Sequence, residues 1–304
     1  MTIRIVTDST ADLPPELAQE LDITVVPVYV NVAGRCYRDG VDIDTDEIYR
    51  LIEKGVSRVT TSQPAPDDFA QVFRRLMKEA DSIVSINLTS RLSGVYDSAL
   101  QGREMAGAKG RVEVLDSGML SMGLGLAAVT AARLASAGLS LPSILEQTKN
   151  AIARVHVWGM LDTMKYILNS GRLGKAKALL GSLIAVKPML TLKSGELYPS
   201  GFARTRSRGI DRLIENFKAF INAEEIGIVH STTPDEARSL RSRLSAVLSG
   251  QHIYISRLGP ALGVHGGPGT LIMALREPAS PAENPTISAK KLLNLPSFHI
   301  PRLN

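Results

Sequence analysis

Three stretches bring together residue types that can hold an anion through neutral donors. Thr60-Thr61-Ser62-Gln63-Pro64 is a run of hydroxyls just ahead of a helix start at Pro66-Asp67-Asp68. It reads as a helix entry with capping residues, the plainer role, or as a carboxylate site built from hydroxyls and backbone N–H groups. Arg91-Leu92-Ser93-Gly94-Val95-Tyr96 follows a strand-like run and opens a helix. There Ser93 would lie beside free N–H groups and the positive end of the helix dipole, and Gly94 lets a ligand approach the backbone. An N-cap would account for the same serine. Gly263-Val264-His265-Gly266-Gly267-Pro268-Gly269 is the most distinctive stretch. Glycines and a proline so close together suggest a backbone turning tightly near something. His265 could donate to a carboxylate or act as a base. His156, His230, His252 and His299 lack such a setting and read as structural. Ser93, His265 and an acid such as Asp116 or Asp8 could also form a triad of an acyl-ester hydrolase, although no nucleophile elbow is present.

These stretches need elements to position them. Ile3 to Thr7, Ile23 to Val32, Ser82 to Leu88 and Val112 to Leu115 read as strands rich in β-branched residues. Helical patterns open at Pro14-Pro15-Glu16, Thr45-Asp46-Glu47, after Gly94 and at Gly123. Strands alternating with helices predict a parallel sheet covered on both faces, with ligands beyond the carboxyl ends of its strands. Asp8-Ser9-Thr10, Ser90 to Gly94 and Asp116-Ser117-Gly118 belong at that edge. The second half differs. Val155 to Leu161, Ile226 to His230, His252 to Arg257 and Thr270 to Leu275 read as strands. Ile184 to Leu192 and Glu196 to Phe202 flank Lys193-Ser194-Gly195 as a hairpin. Helices are expected over Thr163 to Leu168, Ile210 to Ile221 and from Thr233 through Leu248. The expected fold is α/β with two domains: a three-layer parallel-sheet domain over residues 1–154 and a two-layer mixed-sheet domain over 155–277, its helices on one face. A Pro-rich tail, 278–304, follows.

The chain has 304 residues, 44% of them hydrophobic, which is enough for a sizeable core and an internal apolar cavity. Its formal net charge is +5. The basic residues cluster as Arg172, Lys175, Lys177 and Lys187, and again as Arg204, Arg206, Arg208 and Arg212. Each cluster reads either as a solvated face or as an anion, partner or membrane-surface contact. With 5% aromatics interleaving little with those charges, nucleic acid is not an expected partner. Cys36, the one cysteine, reads as a small packing residue. No signal-peptide pattern or long apolar span is seen, so a cytoplasmic protein is expected. Gly123-Leu124-Gly125-Leu126-Ala127-Ala128 loosely fits a dinucleotide fingerprint, but it starts well after its strand and reads as close helix packing. The sequence contains no P-loop, HExxH or GxSxG motif.

Taken in order, these motifs resemble the DegV family, whose best-understood members are the fatty-acid-binding subunits of bacterial fatty acid kinase. The resemblance rests on Ile5 to Pro14, Thr60 to Pro64, Leu92 to Tyr96 and Asp116-Ser117. It continues through Tyr166, Gly171-Arg172-Leu173-Gly174, Lys187-Pro188, Arg204-Thr205-Arg206 and the His265 stretch. It implies two α/β domains with an acyl chain buried between them. It also implies a non-catalytic, lipid-binding role in phospholipid metabolism, with a long-chain fatty acid as ligand and no cofactor or metal. Thr61, Ser93 and His265 would hold the carboxylate. Ser62, Gly94, Arg172, Arg204, Arg206 and Gly266 would make secondary pocket or partner contacts. A separate ATP-dependent kinase would phosphorylate the presented carboxylate to an acyl phosphate, and transient membrane contact is compatible with this role. Val95, Asp97 and Gly266 depart from residues common in the family, and the resemblance does not cover the tail.

Overall fold

Short apolar runs, each ended by polar loop residues, build the first domain. The computed structural model describes residues 1–56, 58–176, 186–248 and 251–279. In it β1 (Ile3–Asp8) passes through a 3-10 turn at Ser9–Ala11 into α1 (Pro15–Glu20) and β2 (Ile23–Val26). Next come β3 (Tyr29–Val32), β4 (Arg35–Arg38), α2 (Thr45–Glu53), β5 (Val59–Ser62) and α3 (Pro66–Leu76). Then β6 (Ser82–Asn87), α4 (Val95–Met105), β7 (Val112–Asp116), α5 (Met122–Ser136) and α6 (Leu141–Ile152) complete this half. The parallel sheet runs β2-β1-β6-β7. Its strand β6 is buried along its whole length, as a strand with helices over both faces must be.

One expected strand is two. Pro27 lies within Ile23 to Val32, offers no N–H to a ladder and divides the run. The second piece, β3, leaves the parallel sheet and forms a small antiparallel sheet, β4-β3-β5. The hydroxyl run Thr60 to Ser62 is therefore strand β5, with Thr61 opposite Val30, and not the cap of α3. Cys36 is exposed on β4 rather than packed.

The second domain comprises β8 (Val155–Met160), α7 (Lys165–Ser170), β9 (Lys187–Lys193), β10 (Glu196–Ala203) and α8 (Arg206–Lys218), then β11 (Glu225–His230), α9 (Pro234–Ser245), β12 (His252–Arg257), α10 (Pro260–Gly266) and β13 (Leu271–Arg276). Its mixed sheet runs β10-β9-β8-β13-β11-β12. β9 and β10 form the expected hairpin, with Ser194 and Gly195 both at positive φ as a tight two-residue turn requires. The start of the expected Ile184 strand, Lys177 and His299 lie outside the described residues, as does the tail from residue 280.

Helices α8 and α9 pack against one another and against this sheet, burying Leu213, Phe217, Leu240 and Leu244. The sheet's remaining cover comes from the other domain. Helix α5 packs on β1, β2 and β6 and also on β8, β11 and β13. It is apolar nearly all round, the mark of a helix with no solvent face. A Cβ at Gly123 would stand 2.6 Å from Val157 Cγ2, so the glycine is what lets helix and sheet close up. The fingerprint-like run is thus a packing device.

Candidate functional site: a cavity between the domains

Beyond the carboxyl ends of β6 and β7, the domains line a cavity open to solvent on one side; its space, open solvent at the mouth included, comes to about 1030 Å³. The walls are mainly aliphatic. Val157, Leu161, Leu190, Leu192 and Ile272 come from the mixed-sheet domain, and Leu88, Leu92 and Leu120 from the loops after β6 and β7. Gly159 lines the cavity between Val157 and Leu161 on the same face of β8.

Polar residues take the smaller share of the lining. Thr61 on β5 and His265 on α10 meet across the cavity wall, with Thr61 Oγ1 2.8 Å from His265 Nε2. In the tautomer with hydrogen on Nε2, the imidazole donates to Thr61 and leaves the threonine proton free to donate onward. Burial pushes the His265 pKa down to about 4, and the nearby Arg172 cation adds to the effect. The ring is therefore neutral at neutral pH, and its Nδ1 has no hydrogen-bond partner among the described residues. Ser93 lines the cavity beside Gln63. It is not used as a cap: Gly94 holds the N-cap position of α4, and no side chain caps that end. A Cβ at Gly94 would stand 3.0 Å from Gln63 Nε2.

The His265 stretch differs from the expected tight loop. Gly259-Pro260 starts a helix, with Pro at its first position, and α10 runs through His265 to Gly266. Only Gly267 and Gly269 beyond it take positive φ. Within the helix Gly263 permits close approach to α2, since a Cβ there would stand 2.6 Å from Tyr49 Oη. Gly266 lines the cavity against Thr270, and Thr270 Oγ1 has no partner among the described residues.

The other expected site residues divide. Ser62 lines the cavity and accepts from Asn31 Nδ2 at 3.3 Å. Arg172 is exposed and also lines the cavity, its guanidinium donating to Ser170 O at 2.7 Å. Arg204 is exposed and is not among the lining residues. Arg206 does not reach the cavity lining: it forms a two-pronged pair with Glu236, and contacts Asp162 and the Gly269 carbonyl. A guanidinium fork so matched to a carboxylate is a structural tie. The alternative triad is not assembled. His265 pairs with Thr61 rather than Ser93, Asp8 accepts from Thr10 and Leu88 N, and Asp116 accepts from Ser90 and Gly118 N.

Two acids given no role from sequence, Asp12 and Asp39, lie under the start of α10. Asp12 Oδ1 accepts the Gly259 N–H at 2.8 Å, and Asp39 accepts that of Ala261. Burial pushes Asp12 to about 8 and Asp39 to about 7. Among the described residues no cluster of His, Cys, Asp and Glu could hold a metal, and no helix is long and apolar enough to cross a membrane.

The DegV family model, described as an uncharacterised protein family, matches residues 2–277. A DegV domain-containing protein of Streptomyces coelicolor is 37% identical over 273 residues, 88% of this chain and 96% of that one. Among solved structures, a fatty-acid-binding DegV family protein from Thermus thermophilus is 34% identical, with a TM-score of 0.86 over 91% of this chain and 100% of that one. DegV from Bacillus subtilis, described as a fatty acid binding protein, is 29% identical, with a TM-score of 0.82 and the same coverage. With its motifs in order, its two-domain α/β fold and a family match over nearly its whole length, this chain belongs to the DegV family.

Proposed function

We propose that this protein binds one long-chain fatty acid in the interdomain cavity and presents its carboxylate to a partner kinase. The observation that carries the reading is the Thr61–His265 pair, 2.8 Å apart, set with Ser93 into a mainly aliphatic wall. Relatives described as fatty-acid-binding support it. Burying roughly fifteen methylenes at about 0.8 kcal/mol each gives on the order of 12 kcal/mol gross. Association costs of about 4 kcal/mol leave about 8 kcal/mol, a Kd of roughly 1 μM before any head-group contact. The chain supplies affinity, so the head group can be held by neutral donors. Hydroxyls and a neutral imidazole hold a carboxylate without a buried guanidinium competing for it, which suits later transfer of a phosphoryl group to its oxygen. Arg172, exposed at the lining, is placed to meet the charge of a donor or an acidic partner surface. The chain has no P-loop, so the phosphoryl donor would be bound by the partner.

Protein purified from a bacterial host should carry a long-chain fatty acid, seen by native mass spectrometry and by extraction and lipid analysis. Ser93→Ala combined with Thr61→Ala should weaken binding, or kinase-dependent acyl phosphate formation, by about 1.5–3 kcal/mol per lost charged hydrogen bond. Protein free of lipid that takes up none when offered, or a double variant with unchanged affinity and turnover, would overturn the reading.

A further inference from the structure

Helix α10 belongs to the mixed-sheet domain, yet its first turn is held by the other one. The Gly259 N–H goes to Asp12 at 2.8 Å and that of Ala261 to Asp39, while Pro260 between them has no N–H to satisfy. Tyr49 of α2 donates to the Leu258 carbonyl at 3.1 Å. The two carboxylates are held in turn. Ser121 Oγ donates to Asp12 Oδ2 at 2.6 Å, and Ser9 Oγ donates to Asp39 Oδ2 at 2.7 Å while accepting the Val28 N–H.

Two details show that this arrangement is built rather than incidental. Asp12 and Ser121, bonded to each other, both have positive φ, 49° and 51°. Asp12 takes it as the αL cap that closes the 3-10 turn, whereas Ser121, with ψ of −146°, is in a region that a residue with a Cβ holds only where its surroundings enforce it. Gly259 has an ordinary φ of −61°, so it is not there for conformational freedom. A Cβ on it would stand 3.2 Å from Asp12 Oδ1 and 3.5 Å from Asp39 Oδ1, so the missing side chain makes room for the carboxylates. Four residues after Ala261, about one turn on, the same short helix delivers His265 to Thr61.

We propose that Asp12 and Asp39 are positioning residues: by gripping the first turn of α10 they set His265 against Thr61, and so set the cavity's preference for a carboxylate over a neutral head group. The proposal rests on the head-group role of Thr61, Ser93 and His265 given above. Its test compares stearic acid with stearyl alcohol on the full chain stripped of lipid, by displacement of a fluorescent fatty acid. Asp12→Ala and Asp39→Ala should each weaken the acid about tenfold, the worth of one charge-assisted hydrogen bond, and leave the alcohol within about twofold. Asp12→Asn and Asp39→Asn keep an acceptor for the helix N–H and should stay within about threefold of the parent for both ligands. Gly259→Ala leaves both acids in place but crowds Asp12, and should weaken the acid selectively even if the alanine variants fail to fold. Folded variants that bind the acid as the parent does, or lose acid and alcohol equally, overturn the grip. A parent that binds neither ligand overturns the fatty-acid reading itself, and the grip with it.

Discussion

Two buried polar seams join the domains, and they treat their carboxylates in opposite ways. In one, Glu225 of β11 is 2% exposed and faces Arg133 from α5 and Arg276 from β13, the latter at 2.8 Å, with Tyr254 of β12 sharing the contact. Burial alone would raise its pKa, but the two guanidiniums outweigh burial and hold it low. In the other, Asp12 and Asp39 are 6% and 4% exposed and are held by N–H and O–H donors. Burial, helped by each acid's acidic neighbours, pushes these two up to about 8 and about 7. A carboxylate paired with cations ties two domains together whatever the ligand does. A carboxylate held by the backbone of one helix depends on where that helix sits, and here that helix carries His265.

The largest expected effect tests the first seam. Glu225→Ala should cost about 3–5 kcal/mol, because it leaves Arg133 without its carboxylate partner and Arg276 with Glu224 alone. Urea unfolding checks this, and the folded fraction should keep its fatty acid affinity. A variant as stable as the parent would mean the ion cluster is only decoration on the interface.

A smaller effect separates the seams by the sign of their pH dependence. Asp12 and Asp39 have folded pKa values above the unfolded value, so the native state holds protons that the unfolded chain has released, and stability falls as pH rises through that window. Glu225 has the reverse sign: its contribution is present above the ordinary carboxylate range and is lost on acidification. His265, lowered from 6.5 to about 4, adds stability as pH rises between those values and would mask the acids there. Above pH 6.5 most of that term is already present. From pH 6.5 to 8 stability should therefore drop by about 2 kcal/mol, since each group in transition contributes up to about 1.4 kcal/mol per pH unit. Tyr49, Asp8 and Arg257 also lie within electrostatic reach of this cluster, so the control is the double variant Asp12→Asn with Asp39→Asn. In urea titrations it should remove that drop, leaving only what the buried Asp8 and the lowered His230 contribute; an unchanged slope places its origin elsewhere.

The same contrast explains what could be read from the sequence. Core strands such as β6 and β11 are legible because β-branched residues gather in them, Ile83, Val84 and Ile86 in one and Ile226, Ile228 and Val229 in the other. Strands β4 and β5 are not: they are four residues long, half exposed and full of polar side chains. Helix α10 reads as a loop from sequence because Gly263 and Gly266 look like turn residues, whereas they serve close contacts with Tyr49 and Thr270. Thr61, Ser93 and His265 could be singled out because hydroxyls and a histidine among glycines are conspicuous locally. Arg206 looked similar and is taken up by Glu236. Asp12 carried no local sign of its role, since its partner Gly259 lies 247 positions along the chain.

The smallest effect gives the sharpest comparison, because one atom is removed from each seam. Tyr49→Phe deletes the hydroxyl that reaches the Leu258 carbonyl, and Tyr254→Phe deletes the one between Arg133 and Glu225. Both changes preserve ring volume, so each should lower stability by only about 1 kcal/mol, the net worth of a buried hydrogen bond. Their effects on the ligand should part company. Tyr254 lies against a cluster that α10 does not join, so fatty acid affinity should survive its loss. Tyr49 helps to seat the residue just ahead of α10, so its loss should let His265 drift from Thr61 and weaken the acid about two- to threefold, well under 1 kcal/mol. Urea midpoints and displacement titrations on the two variants, side by side, measure both quantities. Equal affinities would mean that the head-group end is held as passively as the far one, and that the opposite pKa shifts of the two seams have no bearing on the cavity.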